Sequence, residues 1–210
     1  MTGRRPDCLM TASTVTVAAP SSRNAILAKS YRPTASGGQL RVHAMRIRQA
    51  DAADFDRIWP FFSAIVAAGD TYAYPRDITR NDGYRLWMTV PRRTFVAERG
   101  STVLGSYTLK TNQPGPGRHV CNCGYMVSET ARGQGVATRM CEHSQQIARE
   151  LGYKAMQFNF VAGTNTRAVR LWETLGFAVV GRLPGAFEHP ALGYVDALIM
   201  YKWLAAERPA

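Results

Sequence analysis

The 210-residue sequence predicts an α/β fold, a mixed sheet flanked by helices, and three observations lead to it. An apolar stretch at 123–127 is followed by a two-glycine loop and then by Val136, Met140, His143, Ile147 and Leu151 at spacings of three and four, which is strand, loop, amphipathic helix. Residues 155–161, 165–175 and 177–180 continue as strand, helix and strand, with Gly176 where a helix stops. Apolar runs at 94–98 and 103–110 flank Arg99-Gly100-Ser101 as a hairpin.

In chain order, residues 1–44 lack periodicity, are rich in Ser, Thr, Ala, Gly and Pro, and carry six basic side chains against one acidic one. They are expected to be a disordered extension. Met45 as the true translation start is the favoured explanation, and an Arg-containing, acid-poor transit peptide is the other. Residues 46–50 form a first strand, and Asp51 is placed to cap the helix that follows. Phe55, Ile58, Trp59, Phe62, Ile65 and Val66 step at three and four, marking a helix over 51–68 despite Pro60. A loop at 69–75 leads to a second helix over 78–90, and 112–117 is a Pro-Gly loop. Further strands are expected near 119–127, 154–161, 177–183 and 193–203, with helices near 134–151 and 165–175. Residues 181–193, with Pro184, Gly185 and Pro190, read as a long connection able to wall a pocket.

A 46% hydrophobic, 20% charged composition is ordinary for a globular domain, and no apolar run approaches the roughly 18 residues a membrane helix needs. Of the net charge of +11, residues 45–210 carry +6, from 20 basic and 14 acidic side chains, a modest excess that suits an anionic cofactor; with no recognition helix or aromatic-basic interleaving, a nucleic-acid partner is not expected. Cys121 and Cys123 share a strand face at a spacing shorter than C-x-x-C, and no second pair follows. With Cys8 and Cys141 they read as buried free thiols of a reducing cytoplasm, and no metal site is expected. His143 reads as structural.

The chemistry is concentrated in Arg132-Gly133-Gln134-Gly135-Val136-Ala137 and, 28 residues beyond Ala137, Asn165-x-x-Ala168-x-x-x-Trp172-x-x-x-Gly176-Phe177. Glycines at a helix entrance let a ligand approach the backbone, and the first helical N–H groups lack partners, which favours phosphate. G-x-x-x-x-G-K-[ST] is missing and the loop lacks the G-x-G-x-x-G spacing, so nucleotide hydrolysis and dinucleotide binding lose ground.

Together these motifs resemble the R-x-x-G-x-A and N-x-x-A-x-x-x-[YW]-x-x-x-G-F patterns of the GCN5-related N-acetyltransferase (GNAT) family, over roughly residues 45–204. The resemblance implies a GNAT fold, a mostly antiparallel sheet splayed near strands 4 and 5, in an N-acetyltransferase domain spanning 45–210. It implies acetyl-CoA as cosubstrate, without a metal: Gly133, Gln134, Gly135, Val136, Ala137 and Thr138 with Arg132 at the pyrophosphate, and Val127, Glu129, Asn165 and Trp172 along the pantetheine arm. Cys121-Asn122-Cys123-Gly124-Tyr125 and Phe158-Asn159-Phe160-Val161 further resemble the yeast enzyme that acetylates L-azetidine-2-carboxylate. By that resemblance Asn122 and Asn159, each interrupting an apolar strand, are the catalytic candidates in a direct transfer within a ternary complex.

Many members carry tyrosine at the Trp172 position to protonate the departing thiolate, which indole cannot do; Trp172 is expected instead to pack at the cofactor or acceptor pocket or in the core. Tyr72, Tyr74, Tyr125 and Tyr194 are the candidate replacements. Tyr72, Tyr74 and Arg76 are the candidate acceptor-binding residues, with a small amino acid or toxic analogue as first acceptor and a protein N-terminus or lysine as second. A CoA-binding sensor without efficient catalysis is the competing class, and a homodimer is admitted because dimers are common in the family.

Overall fold

A computed structural model describes residues 44–206, so the expectation for residues 1–43, like Cys8, lies outside the described residues. A seven-stranded sheet has the order β1-β2-β3-β4-β5-β7-β6, its strands being β1 (Arg46–Gln49), β2 (Arg93–Arg99), β3 (Thr102–Thr111), β4 (Val120–Val127), β5 (Ala155–Ala162), β6 (Ala178–His189) and β7 (Gly193–Trp203). All neighbours are antiparallel except β4 and β5. Helices α1 (Phe55–Ala68) and α2 (Arg80–Tyr84) cover one face, while α3 (Val136–Glu150) and α4 (Thr166–Thr174) cover the other. Among the described residues no helix is long and apolar enough to cross a membrane.

Local chemistry accounts for the boundaries. Asp51 accepts from the N–H groups of Ala53 and Asp54, and Asp54 returns a bond to the Asp51 N–H, closing a capping box at the short 3-10 turn that opens α1. Gly69, at φ +69°, ends α1 in the left-handed region. Pro60 removes one N–H inside the helix, yet Phe55, Ile58, Phe62 and Val66 are fully buried against Val96, Val103, Met126 and Trp87, and that burial outweighs the lost bond. On the opposite face Phe95, Tyr107, Leu109, Cys121 and Cys123 meet Met140 and Cys141 of α3 and Trp172 of α4. Cys121, Cys123 and Cys141 are buried and free, and His143 is bound at 2.7 Å to the Tyr107 hydroxyl, a structural role.

One element differs from expectation. The segment 181–193 is not a long connection: β6 runs on to His189 and pairs with β7 as far as Gly193. Pro184 is tolerated because β6 is an edge strand and Pro184 lies within the irregularity between Leu183 and Phe187, where no ladder bond is required of it.

The pairing between β4 and β5 decides where a ligand can enter. It covers Val120 with Ala155, Cys121 with Met156 and Asn122 with Gln157, and then stops while both strands continue. Beyond that point the two strands diverge, and an irregularity between Phe158 and Val161 bends β5 further away.

Candidate active site

The divergence of β4 and β5 opens a cleft of about 1410 Å³, lined by Tyr125, Met126 and Val127 of β4, Phe158 to Ala162 of β5, the glycine loop, α1 and the loop after it. At the loop end, Gly133 and Gly135 have φ values of +78° and +73°, which L side chains rarely adopt. The first backbone bond of α3 runs from the Arg139 N–H to the Gly135 carbonyl. Among the described residues the N–H groups of Gly133, Gly135, Val136, Ala137 and Thr138 take no backbone acceptor, so five donors gather at the positive end of a 15-residue helix. Arg132 lines the cleft beside them, and an Arg167 amino group lies 3.8 Å from where a Gly133 Cβ would stand. This donor set fits a pyrophosphate.

Two expected contributors are corrected. The Arg132 N–H is spent on the Glu129 carbonyl and the Gln134 N–H on that of Ala131, so neither main-chain group is free. The Gln134 side chain joins the Thr130 carbonyl to Arg99 and is not among the residues lining the cleft. Val127 and Glu129 both line it. Asn165 caps α4 by accepting from the Ala168 N–H at 3.2 Å, and it too lines the cleft.

At the other end Asn122, Gly124 and Met126 alternate along the β4 face that meets α1 and α2, so Tyr125 belongs to the opposite face. The Asn122 amide donates to the Gln157 carbonyl at 2.8 Å, bridging the strands at their last pair and leaving its Oδ1 without a partner among the described residues. Asn159 is not the buried amide the apolar strand suggests: it is exposed on the same face of β5 as Gln157, where it accepts from Gln157 Nε2 at 2.9 Å and donates to Asn112 Oδ1 at 2.7 Å. Both asparagines therefore meet at Gln157, and both line the cleft.

The four tyrosines separate cleanly. The Tyr125 hydroxyl is held by Ser144 Oγ at 2.7 Å under α3, and Tyr194 is 76% exposed and lies outside the cleft lining. Tyr72 reaches across β4, where Gly124 leaves room, and donates to the Tyr125 carbonyl at 2.9 Å. Tyr74, stacked on Tyr72 at 5.5 Å, lines the cleft with no hydroxyl partner among the described residues, and burial pushes its hydroxyl pKa above the usual value. Arg76 is not brought to the cleft lining: its Nε donates to the Ala67 carbonyl at 2.9 Å, neutralising the last turn of α1.

The acetyltransferase (GNAT) family model matches residues 55–177. The chain belongs to the GNAT family. It is 45% identical to a solved GCN5-related N-acetyltransferase from Kribbella flavida, covering 76% of this chain and 98% of that one, with a TM-score of 0.73. An N-acetyltransferase of Schizosaccharomyces pombe, aca1, is 36% identical over 100 residues, or 47% of this chain and 48% of that protein, so the match spans about half of that relative. A putative phosphinothricin acetyltransferase of Bacillus subtilis is 25% identical over 148 residues, covering 69% of this chain and 90% of that one. The seven-stranded sheet with its flanking helices is the GNAT fold, and acetyl-CoA is the acetyl donor of the family.

Within this GNAT site Trp172 is 8% exposed and packs on Tyr125 at 5.0 Å and Phe158 at 5.2 Å. Trp172→Phe preserves that cluster and is expected to leave kcat within about threefold, whereas Trp172→Ala is expected to cost about 3–5 kcal/mol in urea unfolding. A large kcat loss in the phenylalanine variant would instead give the indole N–H a direct role.

Several residues of the site are missing from the motif-based reading. Gln157 and Asn159 lie two apart on one strand, a spacing that places both on one face and could have flagged Gln157. Arg167, a cation in the first turn of α4 where the helix dipole disfavours it, was a second signal. Asn112 carried none, since it meets Asn159 from a loop 47 residues away.

Proposed function

We propose that this GNAT protein moves the acetyl group of acetyl-CoA to the amine of a small amino acid or a toxic analogue by direct transfer in a ternary complex. One observation carries the proposal: a single cleft runs without interruption from the five free N–H groups at α3 to Asn122, Asn159, Tyr72 and Tyr74. Donor and acceptor then have room together, and no covalent enzyme intermediate is needed. The Bacillus relative is named for phosphinothricin, an amino acid, which agrees with the acceptor class.

When bound, acetyl-CoA supplies the thioester carbonyl carbon. The loop N–H groups with Arg132 hold its pyrophosphate, and Val127, Glu129 and Asn165 follow the pantetheine arm where β4 lacks a β5 partner. Because Asn122 Nδ2 is spent on the Gln157 carbonyl, Oδ1 is the atom turned to accept from the amine N–H. An amide orients the nucleophile and does not deprotonate it, so the amine arrives neutral or loses its proton to solvent. Tyr74, whose hydroxyl lines the cleft with no partner among the described residues, is the phenol available to protonate the departing thiolate. Asn159, tethered by Asn112 and Gln157, borders the acceptor.

Thiol release from acetyl-CoA across a panel of amines tests the proposal, with small amino acids expected to give the highest turnover. Tyr74→Phe should lower kcat about tenfold with little change in acceptor KM, and Asn122→Ala should lower kcat/KM by about 10- to 100-fold. The competing reading, a CoA-binding sensor, is favoured by Trp172 in place of a proton-donating tyrosine. Tight acetyl-CoA binding with no acceptor-dependent thiol release across the panel would establish it instead.

A further inference from the structure

With Arg76 turned to the end of α1, the cation on the acceptor side of the cleft comes from a different part of the chain. The described lysines and arginines that line the cleft are Lys110, Arg132 and Arg167. Arg132 and Arg167 flank the glycine loop at the donor end. Lys110 lies at the opposite end, on β3, directly across from Asn122 in the antiparallel register. Ser106, Thr108 and Lys110 alternate onto the same sheet face as Met126, Gly124 and Asn122, the face that Tyr72 and Trp87 cover. Lys110 is exposed in the cleft, with no ion pair or hydrogen bond to any described residue.

A second observation points to a polar ligand in the cleft. The Thr71 hydroxyl, in the loop over β4, is buried without a hydrogen-bond partner and its residue lines the same cleft. Buried hydroxyls are rarely left unpaired unless a ligand or water serves them.

We propose that Lys110 is the specificity residue that selects acceptors bearing a carboxylate next to the amine. This rests on the proposed small amino acid acceptor. Directly opposed residues of an antiparallel pair have Cβ atoms about 5 Å apart, so a ligand amine held at Asn122 Oδ1 sits within reach of the Lys110 stem. An α-amino acid carries its carboxylate one carbon from the amine and presents it there. A single ammonium suits a monoanion of this kind, whereas the paired arginines and clustered N–H groups of the donor end suit a pyrophosphate. Of the acids lining the cleft, Glu129 belongs to the donor end, and Asp70 is an exposed residue of the loop after α1 that makes no ion pair with Lys110.

The test compares glycine, L-proline and L-azetidine-2-carboxylate, each with its carboxamide, on wild type, Lys110→Ala and Lys110→Arg. The carboxamides have the less basic amines, so what is read is the change, between wild type and variant, in the ratio of kcat/KM for acid over amide. In Lys110→Ala the ratio should fall about tenfold or more through acceptor KM, with acetyl-CoA KM unchanged, and Lys110→Arg should recover most of it. An unchanged ratio in Lys110→Ala overturns the Lys110 assignment while leaving the amino-acid acceptor intact. A wild type that acetylates none of these compounds removes the proposed acceptor class, and Lys110's role with it.

Discussion

Asp54→Ala is expected to destabilise the protein by about 3–5 kcal/mol at neutral pH, measured by urea unfolding. Asp54 is fully buried between β1 and α1 and accepts from Arg48 through both oxygens, at 2.6 and 2.8 Å, from Arg57, and from the Asp51 N–H at 2.9 Å. Arg48 also reaches Glu98 at 2.9 and 3.0 Å, and Arg46 joins Glu98 at 3.1 Å, so the network ties β1, β2 and the start of α1 together. Removing the carboxylate breaks the capping box and leaves Arg48, whose side chain is only 25% exposed, with Glu98 and the Gln49 carbonyl as its remaining partners. Exposed pairs such as Arg182 with Asp196 have no comparable leverage, because water replaces a lost partner.

The same network sets an acid limb. Hydrogen bonds from Arg48, offset in part by desolvation, hold the Asp54 carboxyl down to about 2, and Arg48 likewise holds Glu98 below its usual range. A depressed carboxyl pKa stabilises the fold above the unfolded value near 4, and that stabilisation is lost as the pH falls from about 4 to about 2. For Asp54 the shift is worth about 2 kcal/mol. Wild type should therefore lose stability across this window, while Asp54→Asn, already lacking the charge, should show a shallower loss. Parallel unfolding curves for the two proteins between pH 4 and 2 would remove Asp54 from this role. The effect on acetyl transfer is indirect, because α1 supplies Phe61, Ala64 and Ile65 to the acceptor end of the cleft.

What could be read from the chain beforehand was what local chemistry writes there. The Asp51 cap, the glycine stop after α4 and the α3 entrance each require particular residues at particular positions, and the α1 stripe of Phe55, Ile58, Phe62 and Val66 has one period. Long-range placement was the hidden part. Arg76 looked like a cleft cation from its position in the loop, but the nearest open carbonyl at the end of α1 claimed it. Asn159 looked buried because its neighbours are apolar, yet it stands exposed beside Gln157 where β5 lines the cleft. Lys110 at a strand end is indistinguishable in sequence from a solvated lysine, and only the packing of residues 60–75 over β4 gives it a cleft to face. Pro184 suggested the end of a strand, and the edge position that tolerates it depends on the order of all seven strands.

Gly135→Ala should raise the KM for acetyl-CoA by about 10- to 100-fold while costing only about 1–2 kcal/mol of stability. Nothing lies within 4 Å of a Cβ built on Gly135, so the protein itself offers no clash. The backbone does resist, since Gly135 sits at φ +73° where a Cβ crowds the carbonyl oxygen. The larger effect falls on the ligand, because the methyl group enters the space in front of the free N–H groups of Val136, Ala137 and Thr138. Gly135→Asn separates the two contributions: asparagine tolerates the left-handed region, so stability should recover toward wild type while acetyl-CoA KM stays high. Arg132→Ala should give a smaller increase that shrinks as salt is raised, as expected of an exposed charge near phosphate. Were Gly135→Ala and Gly135→Asn both to keep the wild-type KM for acetyl-CoA while folding normally, the α3 entrance would not be the pyrophosphate site. The donor would then have to bind elsewhere in the cleft.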